Sequence, residues 1–161
     1  IIKNKPFVIA LNTSVKISKK LIDLYVACNP LKLMADVEQY KNIKSPLAVP
    51  FSILSDEIKK KFKKIRILNF GIGLKDNSFK FYGNCSYVPK LYTVAYALAI
   101  AASGKAKIVY LAGFDGYQKG DRRLKIIEEI FNSYKETPGA RPITAITPSL
   151  YNIKKKSIYT L

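Results

Sequence analysis

The stretch Lys107-Ile-Val-Tyr-Leu-Ala-Gly-Phe-Asp-Gly-Tyr117 decides the fold of this chain. Its apolar run, residues 108–112, has the length of a buried strand, and two glycines with Asp115 between them follow it. An apolar, alanine-rich segment at residues 88–103 precedes the strand and has the length of a helix. In open α/β sheets ligands bind at the carboxyl ends of the strands, so we expect a functional site directly after this strand.

The same alternation of strand and helix extends through the rest of the chain. Apolar runs of strand length occur at residues 6–11, 24–28, 46–50, 65–70 and 143–147. Helical spacing and capping residues predict helices at residues 18–22, 31–40, 55–64 and 122–134. Residues 154–160 can form either an edge strand or a tail. Because helical crossovers join parallel strands, the pattern predicts an α/β fold, a single Rossmann-like domain of three layers over residues 1–161 with a mostly parallel sheet.

The length of the chain and its apolar runs indicate a folded protein. At 161 residues it is long enough to bury a core. Every apolar run is shorter than a membrane span, and the first residues lack the apolar segment of a signal peptide. We therefore expect a cytoplasmic protein with no membrane partner. The only methionine is Met34, so we also expect a domain cut from a longer protein.

The chain is strongly basic, with a formal net charge of +17 from 28 Lys and Arg against 11 Asp and Glu. Such an excess can attract the phosphates of a nucleic acid. Only four of the cations are arginines, however, the residue that specific base recognition favours. The densest run, residues 59–66, follows acidic residues at a predicted helix start, which is typical of a solvated helix end. A surface for an anionic ligand or partner is the alternative, and nucleic acid is not the expected partner.

The residue types present give little support to catalysis or metal binding. The chain has no histidine, and Cys28 and Cys85 fit no metal-ligand spacing. Two reduced thiols are expected, with a disulfide between them as the alternative. We expect no catalytic residue, no metal site and no cofactor within these residues.

Polar residues and glycines directly follow the predicted strands. Short amides and hydroxyls can bond to a ribose, a base or a phosphate, and glycines allow close backbone approach. Turn formation and helix capping are the alternative roles for each of them. Because parallel strands end at the same edge of a sheet, we expect these residues to converge on one ligand site. The candidate ligand-binding residues are Asn12, Thr13, Ser14, Asn29, Gly71, Gly73, Asp115, Gly116, Thr147 and Ser149.

Three of these strand ends resemble the small Rossmann-like bacterial sialyltransferases that use CMP-sialic acid. Residues 8–14, VIALNTS, are similar to the first strand and Asn-Gly-Pro-Ser-type loop of that family, and residues 25–29, YVACN, to its second strand. Residues 108–118 resemble its strand and loop of pattern Tyr-Leu-x-Gly-x-Asp-x-Tyr-Gln. The resemblance implies that Asn12 and Asn29 contact a nucleotide, with the loop at residues 115–118 close to it.

The chain departs from that family in two respects. The family relies on a histidine general base from a lid segment, whereas residues 120–138 hold one charged helix and no histidine. Thr13 replaces the glycine of the first loop. A transfer of this kind needs a base with a pKa near neutrality, so we expect no transfer unless Asp115 or a tyrosine acts as the base.

A closer resemblance is to the domain that follows the barrel in aldolase-like proteins of bacterial surface-polysaccharide gene clusters. Those proteins are labelled 4-hydroxy-2-oxovalerate aldolase or HMG-CoA-lyase-like. Residues 8–36 and residues 143–153 are similar to that accessory domain, which would cover the whole chain. The resemblance implies a preceding barrel domain, absent from these residues, in which a divalent metal and any aldol chemistry would reside.

We therefore expect an accessory domain that binds a nucleotide, a sugar nucleotide or a similar small anionic metabolite and performs no chemistry itself. Its expected partners are that ligand, the barrel domain and a second copy of the chain in a homo-oligomer. The alternatives are a glycosyltransferase that uses a CMP-sugar, a structural module that mediates oligomerisation of the aldolase, and a nucleic-acid binder.

Overall fold

The computed structural model describes residues 5–13, 17–118 and 120–160. The chain divides into two compact units. The first comprises Ile1–Ile72 with Leu91–Ala97, and the second comprises Gly73–Lys90 with Leu98–Leu161. The expected single domain stays a prediction.

The first unit is built on a four-stranded parallel sheet. Its strands are β1 (Ile9–Leu11), β2 (Leu24–Val26), β3 (Leu47–Val49) and β4 (Ile67–Asn69), and they pair in the order β1-β2-β3-β4. Ala10 lies opposite Tyr25, and Leu47 lies opposite both Tyr25 and Ile67. Because all four strands are parallel, their carboxyl ends lie along one edge, which we call the carboxyl edge, and their amino ends lie along the other.

Short helices connect these strands. They are α1 (Pro30–Ala35), α2 (Val37–Tyr40) and α3 (Asp56–Lys61), with 3-10 turns at Lys19–Leu21 and Phe51–Ile53. The helix predicted at residues 31–40 is interrupted at Asp36, which ends α1 and begins α2. The predicted start of α3 is confirmed, because the Ser55 side chain accepts a hydrogen bond from the backbone N–H of Ile58.

The core of the first unit joins one face of the sheet to these helices. The two central strands, β2 and β3, are buried at every position, as is common for strands of a parallel sheet that is covered on both faces. The buried cluster consists of Ala10, Ile22, Tyr25, Ala27, Leu33, Tyr40, Leu47, Val49, Leu54, Ile58, Phe62 and Ile65.

The remaining strands form two three-stranded sheets, which belong to the second unit except for the first two residues of β5. Strands β5 (Gly71–Leu74), β6 (Lys80–Phe81) and β7 (Cys85–Val88) form one in the order β5-β7-β6, with β6 and β7 antiparallel. Strands β8 (Val109–Leu111), β9 (Ile143–Ala145) and β10 (Lys154–Lys155) form the other, which is parallel and ordered β10-β9-β8. Residues 154–155 are thus an edge strand, and a 3-10 turn follows at Ile158–Thr160.

Helix α4 (Thr93–Ser103) precedes β8, and helix α5 (Arg122–Glu136) lies between β8 and β9. Asp121 caps α5 by accepting a 2.8 Å hydrogen bond from the backbone N–H of Arg123. The buried side of α5 carries Ile127, Ile130, Phe131 and Tyr134, the periodicity that the sequence predicts. The fold class is confirmed as α/β with mostly parallel sheets, since the sheets of β1–β4 and β8–β10 are parallel throughout.

The helix predicted at residues 88–103 begins later than expected. Val88 ends strand β7, and the helix begins at Thr93. The physical reason is Pro89, which has no backbone N–H and disfavours helical geometry at the residue before it. The apolar composition of the segment did not reveal this boundary.

Candidate functional site

The loop after β1 begins with Asn12 in the left-handed backbone region, at φ 55. Asparagine tolerates this region better than most residues. Its backbone N–H bonds to the carbonyl of Val26 at 2.9 Å, which holds the end of β1 against the end of β2. The Asn12 Oδ1 atom accepts a 3.4 Å hydrogen bond from the hydroxyl of Thr93. The side chain is therefore fixed at the carboxyl edge of the first sheet.

Thr13 and Asn29, the next candidates at this edge, both have local structural partners. The Thr13 hydroxyl donates to Asp36 Oδ2 at 2.8 Å. The Asn29 Oδ1 atom accepts from the backbone N–H groups of Leu31 and Lys32, at 3.0 and 3.2 Å, and so caps α1. Asn29 thus has the capping role that was its alternative, and only its amide nitrogen is left to face a ligand.

Cys28 lies beneath these side chains and is buried. Its Sγ atom is 3.9 Å from the Thr93 hydroxyl. Burial raises the pKa of this thiol to about 11, against a smaller lowering by the Thr93 contact. At neutral pH Cys28 is therefore a protonated thiol, which makes it a poor nucleophile.

The second unit has its own set of strand-end loops. Gly113, after β8, lies at φ 73 and donates a 2.9 Å hydrogen bond from its N–H to Thr147 Oγ1, after β9. The carbonyl of Asp115 accepts a 2.9 Å bond from the N–H of Leu150. These two bonds tie the loop after β8 to the loop after β9.

A cavity of about 280 Å³ lies at this pair of loops. Its lining consists of Gly113, Phe114, Asp115, Gly116, Tyr117 and Tyr151. The ring of Phe131 in helix α5 packs against two aromatic rings of the lining. The distance between ring centroids is 6.1 Å to Phe114 and 5.3 Å to Tyr151. The cavity thus combines aromatic surface, glycine backbone and one carboxylate.

The charged neighbours of the cavity belong to the start of α5. The guanidinium of Arg123 lies 4.2 Å from the ring centroid of Tyr117 and pairs with the Asp121 carboxylate at 2.6 Å. Hydrogen bonds from Arg123 lower the pKa of Asp121. Burial raises the pKa of Tyr151, so its hydroxyl stays protonated at neutral pH.

The structure places the predicted residues on two parallel sheets, one in each unit. Asn12, Thr13 and Asn29 follow β1 and β2 in the first unit, whereas Asp115, Gly116 and Thr147 follow β8 and β9 in the second. Ser149 is buried, and its hydroxyl accepts from the N–H of Tyr151 at 3.3 Å. The remaining candidates are Gly71 and Gly73, which lie within strand β5, and Ser14, which lies outside the described residues.

The glycine pair Gly71 and Gly73 is thus strand backbone and not a phosphate loop. A Cβ atom at Gly73 would lie 2.7 Å from ring atoms of Tyr87. The glycine permits close packing of the tyrosine across β5 and β7, which explains its presence without a ligand.

Several residues of these sites were missed in the sequence. Thr93 and Asp36 lie far along the chain from the strand ends that they contact. Tyr151 lines the cavity from beyond β9, and no local pattern signals its position. Tyr117, in contrast, belongs to the stretch that decided the fold and could have been included.

No group of three His, Cys, Asp or Glu side chains that could hold a metal ion occurs among residues 5–13, 17–118 and 120–160. In the same part of the chain, no helix combines the length and apolar character needed to cross a bilayer.

Comparison with known proteins shows no match: no protein-family model, no curated protein and no solved structure corresponds to this chain.

Proposed function

We propose that this chain binds a small anionic metabolite with a sugar or nucleoside moiety in the cavity of the second unit. The cavity, at the carboxyl ends of β8 and β9, is the observation that carries the proposal. Ligands of open parallel sheets bind at such ends.

The size and lining of the cavity favour one ring system over an extended ligand. Small-molecule pockets commonly measure roughly 300 to 1,000 Å³, and this cavity, at about 280 Å³, is slightly smaller than that range. Tyr117 and Tyr151 offer ring faces to a sugar or a base. Asp115 can accept hydrogen bonds from sugar hydroxyls or a base amine.

The charge around the cavity supports an anionic group on the ligand. Arg122 is exposed in the first turn of α5, next to the Arg123 that covers Tyr117. A phosphate on a ligand that occupies the cavity would meet this cationic turn. The chain also carries an excess of 17 positive charges, which attracts anions over a distance.

Binding without chemistry is the simplest role for these side chains. Proton transfer near neutral pH needs a group that titrates there, and the chain has no histidine. The pKa of Tyr151 is raised by burial, which makes it a weaker acid than a free tyrosine. The domain therefore holds its ligand for use elsewhere.

The test is a thermal-shift and calorimetric titration of the chain with nucleoside monophosphates, sugar phosphates and CMP-sugars. One class should stabilise the protein saturably, because a ligand of the native state raises stability by mass action. Asp115→Asn and Tyr117→Leu should weaken its binding by about tenfold each, on the scale of one hydrogen bond or one ring contact. Asp76→Asn, in an exposed turn of the same unit, is the matched control.

Asn12→Gly separates the two strand-end clusters. It removes the side chain at the first sheet while keeping a residue that tolerates a positive φ. Our proposal predicts that Asn12→Gly binds the ligand with unchanged affinity. No saturable ligand, or a loss of binding only in Asn12→Gly, would contradict a site in the second unit.

We also propose, from the resemblance in sequence, that this chain is part of an aldolase-like protein. This relation assigns any lyase activity to a divalent-metal barrel encoded before Ile1 and makes the present residues its accessory domain. The reading frame upstream of Ile1 tests this. A barrel with a set of metal-binding side chains supports the relation, and a different domain opposes it.

A further inference from the structure

The amino ends of the four strands in the first sheet form a continuous edge. Three backbone bonds hold the entering segments side by side: the N–H of Leu24 to Val8 O at 3.2 Å, that of Tyr25 to Pro46 O at 2.9 Å, and that of Leu47 to Arg66 O at 2.9 Å. Neighbouring strands lie about 4.8 Å apart, so four strands span roughly 15 Å. We call residues 5–7, 19–21, 44 and 63–66, which precede the strands, the amino edge.

Exposed cations line the amino edge. They are Lys5, Lys19, Lys20, Lys44, Lys63, Lys64 and Arg66. The carboxylate beside them, Asp23, pairs with Lys5 at 3.9 Å and accepts from the N–H of Val8 at 2.8 Å. Within the described part of the chain, the other six cations form no ion pair. They leave a net positive strip on one side of the sheet.

The fold itself explains why the cations gather there. Crossover helices run opposite to the strands of a parallel sheet, so each helix ends near the amino end of the next strand. Helix α3 has acids in its first turn and lysines in its last, which suits the helix dipole. The same polarity directs Lys63, Lys64 and Arg66 to the start of β4.

Two large apolar side chains are exposed among these cations. Phe7 is 69% exposed and Leu21 is 54% exposed. Phe7 directly precedes Val8, whose carbonyl accepts from Asp23 and Leu24, so the two apolar residues flank the same strand pair. A surface that mixes lysines with exposed apolar side chains is typical of contact with a membrane interface.

We propose that the amino edge docks on the surface of an anionic lipid bilayer. The lysines contact acidic headgroups, and Phe7 and Leu21 enter the interfacial layer. A clustered set of lysines favours anionic lipid, whereas specific nucleic-acid contacts favour arginine, and only Arg66 is an arginine here. A nucleic-acid backbone also gives Leu21 no apolar environment.

This docking is independent of the proposed ligand site, which lies in the second unit. It differs from the expectation that the chain has no membrane partner. That expectation was based on the lack of an apolar span, which argues only against a segment that crosses the bilayer. A peripheral contact needs no such span.

The test is flotation of the chain with vesicles of equal parts phosphatidylserine and phosphatidylcholine, against vesicles of phosphatidylcholine alone. Binding should need phosphatidylserine and decline with added salt. The quadruple variant Lys19→Gln, Lys20→Gln, Lys63→Gln, Lys64→Gln should bind at least about a hundredfold less tightly, since each cation contributes about fivefold. The charge-matched control replaces exposed lysines of the second unit: Lys107, Lys154, Lys155 and Lys156, each to Gln.

A second pair of variants tests the apolar contact. Phe7→Ser with Leu21→Ser should weaken vesicle binding by at least about tenfold, because both substitutions remove apolar surface that would leave water on docking. The control is Leu31→Ser with Ile53→Ser, two exposed residues at the carboxyl edge of the same sheet. Circular dichroism confirms that each variant folds.

Three outcomes overturn the proposal: no binding to phosphatidylserine vesicles, equal losses in the test and control variants, or unchanged binding in Phe7→Ser with Leu21→Ser. Tight binding to duplex DNA or RNA that requires the same four lysines, without vesicle binding, would assign the edge to nucleic acid.

Discussion

The backbone N–H of Gly113 donates a 2.9 Å hydrogen bond to Oγ1 of Thr147. The two residues are 34 positions apart in the chain and follow neighbouring strands of one parallel sheet. This bond fixes the first residue of the loop that lines the cavity. The shape of the cavity therefore depends on a hydroxyl outside its lining.

Thr147→Val removes the acceptor while nearly preserving the shape of the side chain. We expect the free energy of unfolding to fall by about 1 kcal/mol, the net value of a typical hydrogen bond. Thr147→Ser keeps the hydroxyl, so its free energy of unfolding should fall by less. Urea denaturation of the three proteins measures the difference, and a larger loss in Thr147→Ser than in Thr147→Val would show that the methyl group matters more than the hydrogen bond.

Gly116 combines a positive φ with a close neighbour. Its φ is 106, and an added Cβ would lie 2.9 Å from Cβ of Leu150. Gly116→Ala should cost about 1 to 3 kcal/mol in backbone strain and a further amount in overlap. Gly120 has a φ of 95, and an added Cβ there would have nothing within 4 Å. The same substitution at Gly120 therefore distinguishes backbone strain from overlap with Leu150.

Gly120→Ala carries the backbone strain alone and should be less destabilising than Gly116→Ala. Replacing Leu150 by Gly removes all three of its atoms that an added Cβ would meet, Cβ, Cγ and Cδ1. In the Gly116→Ala background this change should bring the cost close to that of Gly120→Ala, once the loss from Leu150→Gly alone is subtracted. Thermal and urea unfolding give these values. Equal costs for the two glycine substitutions would mean that Leu150 moves aside freely.

The buried thiol of Cys28 should make the protein sensitive to alkali. Burial raises its pKa from an ordinary value near 9 to about 11, so the unfolded chain loses this proton at a lower pH than the folded one. Its stabilising contribution is complete below pH 9 and is lost as the pH rises to 11. Two pKa units correspond to about 2.7 kcal/mol at most.

Cys28→Ala should therefore lose less stability between pH 8 and 11 than the parent protein, as measured by urea unfolding at each pH. Cys85→Ala is the control, and its curve should follow that of the parent. Burial raises the pKa values of Tyr40 and Tyr96, and the charge of Cys28 adds a smaller increase to both. Cys28→Ala removes that smaller increase as well, which acts in the same direction as the loss of the thiol. Parallel curves for the parent and Cys28→Ala would contradict a buried protonated thiol.

The elements with strong local signals could be predicted from the sequence. Ser55 and Asp121 cap helices as expected, because an acceptor side chain before an amphipathic segment satisfies the first free N–H groups. Asn12 and Asp115 lie just after strands, as predicted. These features depend on residues that are close together in the chain.

Features that depend on distant residues could not be predicted. The alternation of strands and helices indicates parallel pairing but not which strands pair, so the division into the sheets of β1–β4 and β8–β10 was not foreseen. Tyr151 reaches the cavity through its contact with Phe131, and Thr93 reaches Asn12 across 81 residues. Packing in three dimensions sets such positions, and sequence spacing does not encode them.

The consecutive order β1-β2-β3-β4 bears on how the first sheet forms during synthesis. Each strand pairs with the next one to leave the ribosome, so every loop closure is short and its entropy cost is small. The sheet can grow one strand at a time from the N-terminal end. The Asn12 side chain accepts its hydrogen bond from Thr93, which emerges well after β4. A nascent chain halted before Thr93 would therefore carry a paired sheet in which the Asn12 amide still lacks this partner.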